Sequence, residues 1–189
     1  IASTIRNYDP QIVGIPVASN DFTFAVEICT LIKSISDVPI VAGGFHTTTA
    51  PEDIMNEKCF DIAVIGEGEQ TFLEIVELLE TIDFQKKLHD IPGIWFHKNG
   101  IVMKNELRSL NQNINSLPFP DKTLFDYQRF ININRGLATF ITSYGCPFEC
   151  SYCFLQNYTN APGIVLPANL EDFFEAFATY QQHSRVCSG

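Results

Sequence analysis

Short apolar runs alternate with amphipathic segments through the first part of the chain, and this alternation constrains the fold more than any other feature. Buried strands are predicted at 11–17, 38–42 and 60–65, with helices over 21–36 and 69–82. Strands that alternate with helices indicate βαβ units and a parallel sheet. Residues 1–90 are therefore predicted to form an α/β domain.

The two longer helices carry apolar residues at helical spacing, which assigns each a buried face. A capping box is predicted at Thr49–Glu52, with Pro51 in the first helical turn. The predicted inward residues are Ala25, Ile28, Cys29, Ile32 and Ile35 in the first helix, and Phe72, Val76 and Leu79 in the second. Cys29 is accordingly interpreted as a small core residue.

The pattern changes after residue 90. Runs at 93–97 and 101–103 flank Asn99-Gly100, which is a strong hairpin signal, and a proline-containing linker follows at 117–121. We assign 91–135 to this hairpin and linker and 136–189 to a new unit, which begins with a strand at 138–142. A helix is predicted from 169 or 171 to 182. Because the sequence begins with Ile1 and ends just after this helix, we interpret it as a piece of a longer protein.

The composition excludes several classes of protein. Hydrophobic residues make up 46% of the chain, which is enough for a core, and the net charge of −10 argues against a general nucleic-acid binder. No run is long enough for a membrane span, and no stretch has the pattern of a signal peptide. Three of the six cysteines lie within 146–153. This clustering favours metal binding in a reducing compartment over a disulfide framework.

The cysteine triad Cys146-x3-Cys150-x2-Cys153 has a spacing that can wrap one metal cluster from a single loop. Thiolates are the standard ligands of [4Fe–4S] clusters, which usually take four, so three thiolates leave one iron open to a substrate or cofactor. Zinc is the main alternative, but a structural zinc site needs four ligands. Only His183 and Cys187 lie downstream, at no characteristic distance. Packed core thiols are a further alternative.

Cys146-x3-Cys150-x-Tyr152-Cys153 resembles the signature of radical S-adenosylmethionine (SAM) enzymes, including the aromatic residue before the third cysteine. The resemblance implies that the three cysteines ligate a [4Fe–4S] cluster whose open iron binds SAM. Tyr152 would lie near the adenine. It also implies that the triad follows the first strand of a partial (β/α)6 barrel, of which 136–189 would be the start. Reductive cleavage of SAM to a 5′-deoxyadenosyl radical is the implied chemistry.

The segments Ala42-Gly43-Gly44-Phe45-His46 and 60–69 resemble the cobalamin-binding domain that precedes many radical SAM barrels. That domain has a Rossmann-like sheet whose ligand lies over the carboxyl ends of the strands. The resemblance implies cobalamin contacts from loops after the predicted strands, at Ser19, Gly43, Gly44, His46, Gly66, Glu67 and Gly68. By this comparison the first strands of the domain and most of the barrel are missing.

Other interpretations of these segments stay open. Gly66-x-Gly68-x-x-Thr71 partly matches a dinucleotide fingerprint, but Thr71 replaces the third glycine and the adjacent glutamates would repel a pyrophosphate. His46 is interpreted as a hydrogen-bonding loop residue rather than a metal ligand.

The resemblances together imply methyl transfer or a cyclisation on a small-molecule substrate. A low-potential electron donor, such as flavodoxin or ferredoxin, would act as partner. The oxygen-sensitive cluster implies a cytoplasmic location, and the isolated piece is expected to be inactive. Two rival hypotheses are a non-catalytic cobalamin-binding or interaction module with a degenerate barrel, and a zinc-stabilised α/β domain.

Overall fold

The computed structural model describes residues 1–81, 83–111, 113, 116–118, 120–137, 144–146, 150, 151, 153 and 163–165. For 144–146 and 163–165 the description covers the backbone. The chain divides into two compact units, Ile1–Leu110 and Asn111–Gly189. Within the described residues, no helix has both the length and the apolar character needed to cross a membrane.

The first unit contains a five-stranded sheet in which the strands follow their order in the chain. β1 to β3 are parallel, whereas β4 and β5 are antiparallel to their neighbours. This arrangement confirms the predicted parallel α/β core. The strands are β1 (Val13–Pro16), β2 (Ile40–Gly43), β3 (Ile62–Val64), β4 (Ile94–Lys98) and β5 (Ile101–Lys104).

Helices precede β1 and separate the strands β1 to β4, and those between the parallel strands β1, β2 and β3 form their crossover connections. They are α1 (Ala2–Tyr8), α2 (Phe22–Lys33), α3 (Phe45–Thr49), α4 (Pro51–Asn56), α5 (Glu69–Leu79) and α6 (Phe84–Lys87), with 3-10 turns at Ser19–Asp21 and Leu88–Asp90.

Two apolar clusters form the core of this unit, and successive strand residues contribute to each in turn. In β2, Ile40 and Ala42 belong to the first cluster and Val41 to the second. In β3, Ala63 belongs to the first cluster, whereas its neighbours Ile62 and Val64 belong to the second. Successive side chains of a strand point to opposite faces of the sheet, so the clusters occupy its two faces. Burial on both faces explains why the central strands are continuous apolar runs in the sequence.

Two local predictions in this unit are wrong. Val76 is 36% exposed, and α5 instead buries Thr71 and Ile75. The spacing of apolar residues did not predict this buried face. Its central residue is Thr71, a polar residue whose buried hydroxyl has a hydrogen-bond partner. The predicted capping box is also absent: Thr49 Oγ1 donates back to the Phe45 carbonyl, 2.9 Å away within α3. Pro51 does occupy the first turn of α4, as predicted.

The predicted hairpin is confirmed, and it completes the sheet of the first unit. Asn99 and Gly100 have φ values of 53° and 79°, the left-handed conformation that a two-residue hairpin turn requires. β4 pairs with β3 through Ile62 and Phe96. The segment 91–135, which the sequence assigned to a hairpin and linker, is therefore split between the two units. Its hairpin belongs to the sheet of the first unit, and its later residues lie in the second unit.

The segment after β5 is fixed to α5 by a buried polar cluster. Arg108 Nε donates to Thr71 Oγ1 at 2.8 Å, and the same guanidinium pairs with Glu74. Thr71 is fully buried. A buried hydroxyl without a partner is costly, so this contact stabilises the end of the first unit.

The second unit is described in part. It contains a 3-10 turn at Lys122–Leu124 and a helix α7 at Tyr127–Ile133, which is capped by Asp126 Oδ1 accepting from Arg129 N at 3.0 Å. Hydrogen bonds from the Thr123 side chain and backbone hold the pKa of Asp121 below its ordinary value. Strands β6 (Tyr144–Cys146) and β7 (Gly163–Val165) pair antiparallel. The strand predicted at 138–142 and the helix predicted up to 182 lie outside the described residues.

Candidate functional site

Three loops meet at the carboxyl edge of the sheet, because β1, β2 and β3 run parallel. They span 17–21, 44–48 and 65–68. All seven residues predicted as cobalamin contacts lie in these loops or end the strand before them: Ser19, Gly43, Gly44, His46, Gly66, Glu67 and Gly68.

The first two loops are joined through their backbones. The Val17 amide donates to the Gly43 carbonyl at 2.7 Å, and the His46 amide donates to the Val17 carbonyl at 3.0 Å. Gly44 lies between these bonds with φ +93°, and a Cβ on it would lie 3.0 Å from the Val17 carbonyl oxygen. The position is therefore restricted to glycine by both conformation and space.

Gly44 and Gly43 make a matched pair for a stability test. We expect Gly44→Ala to lower the free energy of unfolding by about 1–3 kcal/mol, because alanine is strained at positive φ and meets the Val17 backbone. Gly43→Ala should change it by less than about 1 kcal/mol, since no atom of the residues that the structure describes lies within 4 Å of a Cβ there. Urea unfolding followed by circular dichroism measures both. Equal midpoints for the two variants would contradict this account of the loop.

His46 connects the first two loops through its side chain. It is buried, its Nδ1 lies 3.1 Å from Ser19 Oγ, and its ring lies 4.5 Å from the Phe22 ring. Asp53 Oδ2 lies 3.5 Å from Nε2, but the geometry is not that of a hydrogen bond, so Nε2 has no hydrogen-bond partner within the described part of the chain. His46 thus makes the contact of a hydrogen-bonding loop residue, which is the interpretation that the sequence favoured over a metal ligand.

The third loop is joined to the second by a side chain that the sequence analysis missed. Thr48 Oγ1 accepts a hydrogen bond from the Gly66 amide at 3.1 Å. Its neighbour Thr47 is fully buried and donates to the Gly43 carbonyl at 3.1 Å. The three consecutive threonines after His46 were the available signal, because hydroxyls in a first helical turn commonly bond to nearby backbone groups.

Gly66 and Gly68 shape the third loop. Gly66 has φ +93°, and Gly68 is the residue before α5, where a Cβ would lie 3.6 Å from the Val64 side chain. Glu67 between them is half-buried, and Glu69 opens α5. Two carboxylates at the start of a helix disfavour a pyrophosphate, so the loop does not match a dinucleotide site.

The end of β2 offers the space for a ligand. Within the described part of the chain a Cβ on Gly43 would meet no atom within 4 Å, and the nearby Phe45 side chain is 64% exposed. A backbone without side chains lets a bulky ligand approach closely, and an exposed ring adds apolar surface. The residues at this edge therefore fit a large, flat ligand lying over the sheet.

The cysteine triad belongs to the second unit. Cys146 is the last residue of β6. Cys150 and Cys153 are half-buried free thiols on one turn, in which the Cys153 amide donates to the Cys150 carbonyl at 2.9 Å. Thiolates delivered by one short turn, with a third cysteine just before it, are a donor set that fits an iron–sulfur cluster. Tyr152 lies outside the described residues.

Part of the first unit matches a known protein family. Residues 1–76 match the family model of the B12 binding domain. These residues are therefore similar to a B12-binding domain. The matched residues include β1 to β3 and all seven predicted contact positions. The B12-binding domain thus accounts for the glycine loops that the structure brings to one edge.

Curated relatives extend the similarity beyond the B12-binding domain. The uncharacterized methyltransferase PH0819 of Pyrococcus horikoshii is 36% identical over 155 residues, covering 81% of this chain and 33% of that protein. The anaerobic magnesium-protoporphyrin IX monomethyl ester cyclase of Cereibacter sphaeroides is 26% identical over 159 residues, covering 81% and 26%. The chain thus spans about a third or less of these relatives' length.

Two solved structures share the fold. The radical SAM methyltransferase TsrM of Kitasatospora setae, with tryptophan and a SAM analogue bound, superposes with a TM-score of 0.70 at 19% identity, covering 95% of this chain and 38% of TsrM. TsrM with cobalamin and a [4Fe–4S] cluster gives 0.66 at 19% identity, covering 88% and 36%. The predicted resemblance to radical SAM proteins with a cobalamin-binding domain, and the Rossmann-like fold class, are confirmed.

Proposed function

We propose that the chain is part of a radical SAM enzyme in which the B12-binding domain carries cobalamin. One observation carries the proposal: a B12-binding domain is followed in the same chain by Cys146-x3-Cys150-x2-Cys153. The first feature supplies a corrinoid site and the second a cluster with an open iron. The fold shared with TsrM supports this combination.

The carboxyl-edge loops would hold the corrinoid through backbone and small side chains. Gly43 and Gly44 would let the macrocycle approach β2, while Ser19 and His46 would fix the loop on one side. Gly66, Glu67 and Gly68 would border it on the other side, held in place by the hydrogen bond from the Gly66 amide to Thr48. The close packing of Gly44 on the Val17 backbone would hold the first two loops together beside the corrinoid.

The three cysteines would hold the cluster in the second unit, and Tyr152 would contact the SAM adenine. When bound, reduced cluster and SAM supply a 5′-deoxyadenosyl radical, and cobalamin supplies a methyl carrier. The protein's part is to orient these groups toward the substrate and exclude competing reactions.

Methyl transfer to a small-molecule substrate is the reaction that we propose, because two of the curated relatives are named as methyltransferases, PH0819 and the cytidylyl-2-hydroxyethylphosphonate methyltransferase of Streptomyces wedmorensis. Cyclisation is a second candidate, favoured by the similarity to two magnesium-protoporphyrin ester cyclases. We further propose a cytoplasmic location, a flavodoxin or ferredoxin as electron donor, and no turnover by the residues 1–189 alone.

Metal analysis tests the proposal. The chain is reconstituted anaerobically with iron, sulfide and hydroxocobalamin, desalted, and analysed for iron, cobalt and zinc. We expect about four iron atoms and about one cobalt atom per chain. Stoichiometric zinc in place of iron would instead support a zinc-stabilised domain, and iron without cobalt would remove cobalamin from the proposal.

A further inference from the structure

Two cysteines outside the triad lie together at the edge of the sheet opposite the glycine loops. Cys29 is fully buried in α2, and Cys59 is half-buried in the turn after α4. The Cys29 thiol donates to the Cys59 carbonyl oxygen, with Sγ 2.9 Å from the oxygen. Both thiols are free. The Cys29 sulfur thus contacts the backbone of a second cysteine that lies 30 positions away in the chain.

A charged network surrounds this pair. Lys33 Nζ lies 2.7 Å from Asp61 Oδ2 and donates to the Val38 carbonyl at 3.0 Å. Asp61 Oδ2 also accepts from the Ile40 amide at 2.7 Å. Ile40 begins β2 and Asp61 precedes β3, so the network fixes the amino ends of both strands. The backbone around the two thiols is therefore held in place.

The two thiols differ in reactivity. Burial raises the pKa of the Cys29 thiol, and its hydrogen bond with the Cys59 side chain raises it further, while the Lys33 charge opposes both. Thiolates are the reactive form, and a buried thiol of high pKa reacts slowly with solutes. Cys59 is the more accessible of the two, so an oxidant meets Cys59 first.

We propose that Cys29 and Cys59 form an oxidisable dithiol that a peroxide converts into a disulfide. The Cys59 thiolate attacks one peroxide oxygen, which forms a sulfenic acid and releases hydroxide, protonated to water. The Cys29 sulfur then attacks the sulfenic sulfur, forming the S–S bond as its own proton leaves with the displaced hydroxide as a second water. The two sulfurs lose two electrons in total, and the peroxide gains them.

The disulfide would link two elements within the domain proposed to carry cobalamin. It would join α2 to the turn that leads into β3. The first residue of α2, Phe22, packs on His46 at the glycine loops. Oxidation would thus fix the helix that carries one side of the proposed corrinoid site, without using any residue of that site.

Tryptic mapping tests the dithiol directly. Cleavage at Arg6, Lys33, Lys58 and Lys86 places the two cysteines in separate peptides, 7–33 and 59–86. The metal-free chain is treated with hydrogen peroxide in the presence of a chelator, alkylated and digested without reductant. We expect the two peptides to be joined, with a mass lower by two hydrogens than their sum, and to separate on reduction.

Variants and a denatured control separate the proposed pairing from general oxidation. Cys59→Ser should leave peptide 7–33 unlinked, whereas Cys29→Ser should leave a sulfenic acid on Cys59 that dimedone traps. The same treatment in urea should give mixed linkages, including the peptide 136–185 that carries the triad. Peptides 7–33 and 59–86 that remain reduced in the folded chain, or link to other peptides, would overturn the proposal. Because no iron or cobalamin is present, this result is independent of the proposed enzymatic function.

Discussion

Replacing Cys150 with alanine is expected to abolish assembly of the iron–sulfur cluster. In the proposed site each of the three cysteines would supply one ligand, and a [4Fe–4S] cluster left with only two protein thiolates should not be retained. Iron bound after anaerobic reconstitution and desalting should fall from about four atoms per chain to near zero. Iron and sulfide assays on the purified chain measure this change.

Cys59→Ala is the matched control for that experiment. It removes a half-buried thiol of the first unit, outside the triad. Its iron content should equal that of the unaltered chain, with a small loss of stability at most. If Cys150→Ala retained iron at the level of Cys59→Ala, the assignment of the cluster to the triad would be wrong.

Gly43→Leu is expected to weaken cobalamin binding by at least about 100-fold, which corresponds to about 2.7 kcal/mol. Among the described residues no atom lies within 4 Å of a Cβ on Gly43, so a leucine there should project into the space assigned to the macrocycle. Binding should therefore fall while the unfolding midpoint stays close to that of the unaltered chain. Titration with hydroxocobalamin, followed by its visible spectrum, measures the dissociation constant.

Gly43→Ala supplies the graded control for cobalamin binding. Alanine adds one methyl group in open space, and its effect should be less than about 10-fold. Wild-type affinity in Gly43→Leu, with the fold intact, would place the ligand elsewhere on the domain. The urea midpoint of Gly43→Leu separates a direct effect on binding from an effect of unfolding. The midpoint must stay close to that of the unaltered chain if the loss of affinity is to count as a direct effect.

The fold of the first unit was largely predictable, because burial on both faces makes the central strands visible as apolar runs. The hairpin was equally clear, since Asn99-Gly100 satisfies the positive φ values of its turn. The inward face of α5 was not predictable from apolar spacing. Its centre is Thr71, whose burial depends on a hydrogen bond from Arg108, 37 residues away in the chain. A contact between residues so far apart in the chain leaves no pattern in the local sequence around either of them.

The position of the candidate site on the sheet could be predicted from the sequence, but the hydrogen bonds that join its loops could not. Parallel strands bring their carboxyl ends to one edge, so glycines after β2 and β3 could be assigned to one site before the structure was known. The Thr48–Gly66 hydrogen bond was not foreseen, because it joins loops from different strands. The sequence favoured a hydrogen-bonding role for His46 over a metal-ligand role, and its contacts with Ser19 and Phe22 are those of a residue that joins two loops.

Electron paramagnetic resonance of the reconstituted, dithionite-reduced chain, with and without SAM, tests the central claim most directly. That claim is an iron–sulfur cluster held by Cys146, Cys150 and Cys153, with one iron open to SAM. The account predicts a [4Fe–4S]+ signal that changes when SAM is added and is lost in Cys150→Ala. A chain that gives no cluster signal and retains stoichiometric zinc would contradict it.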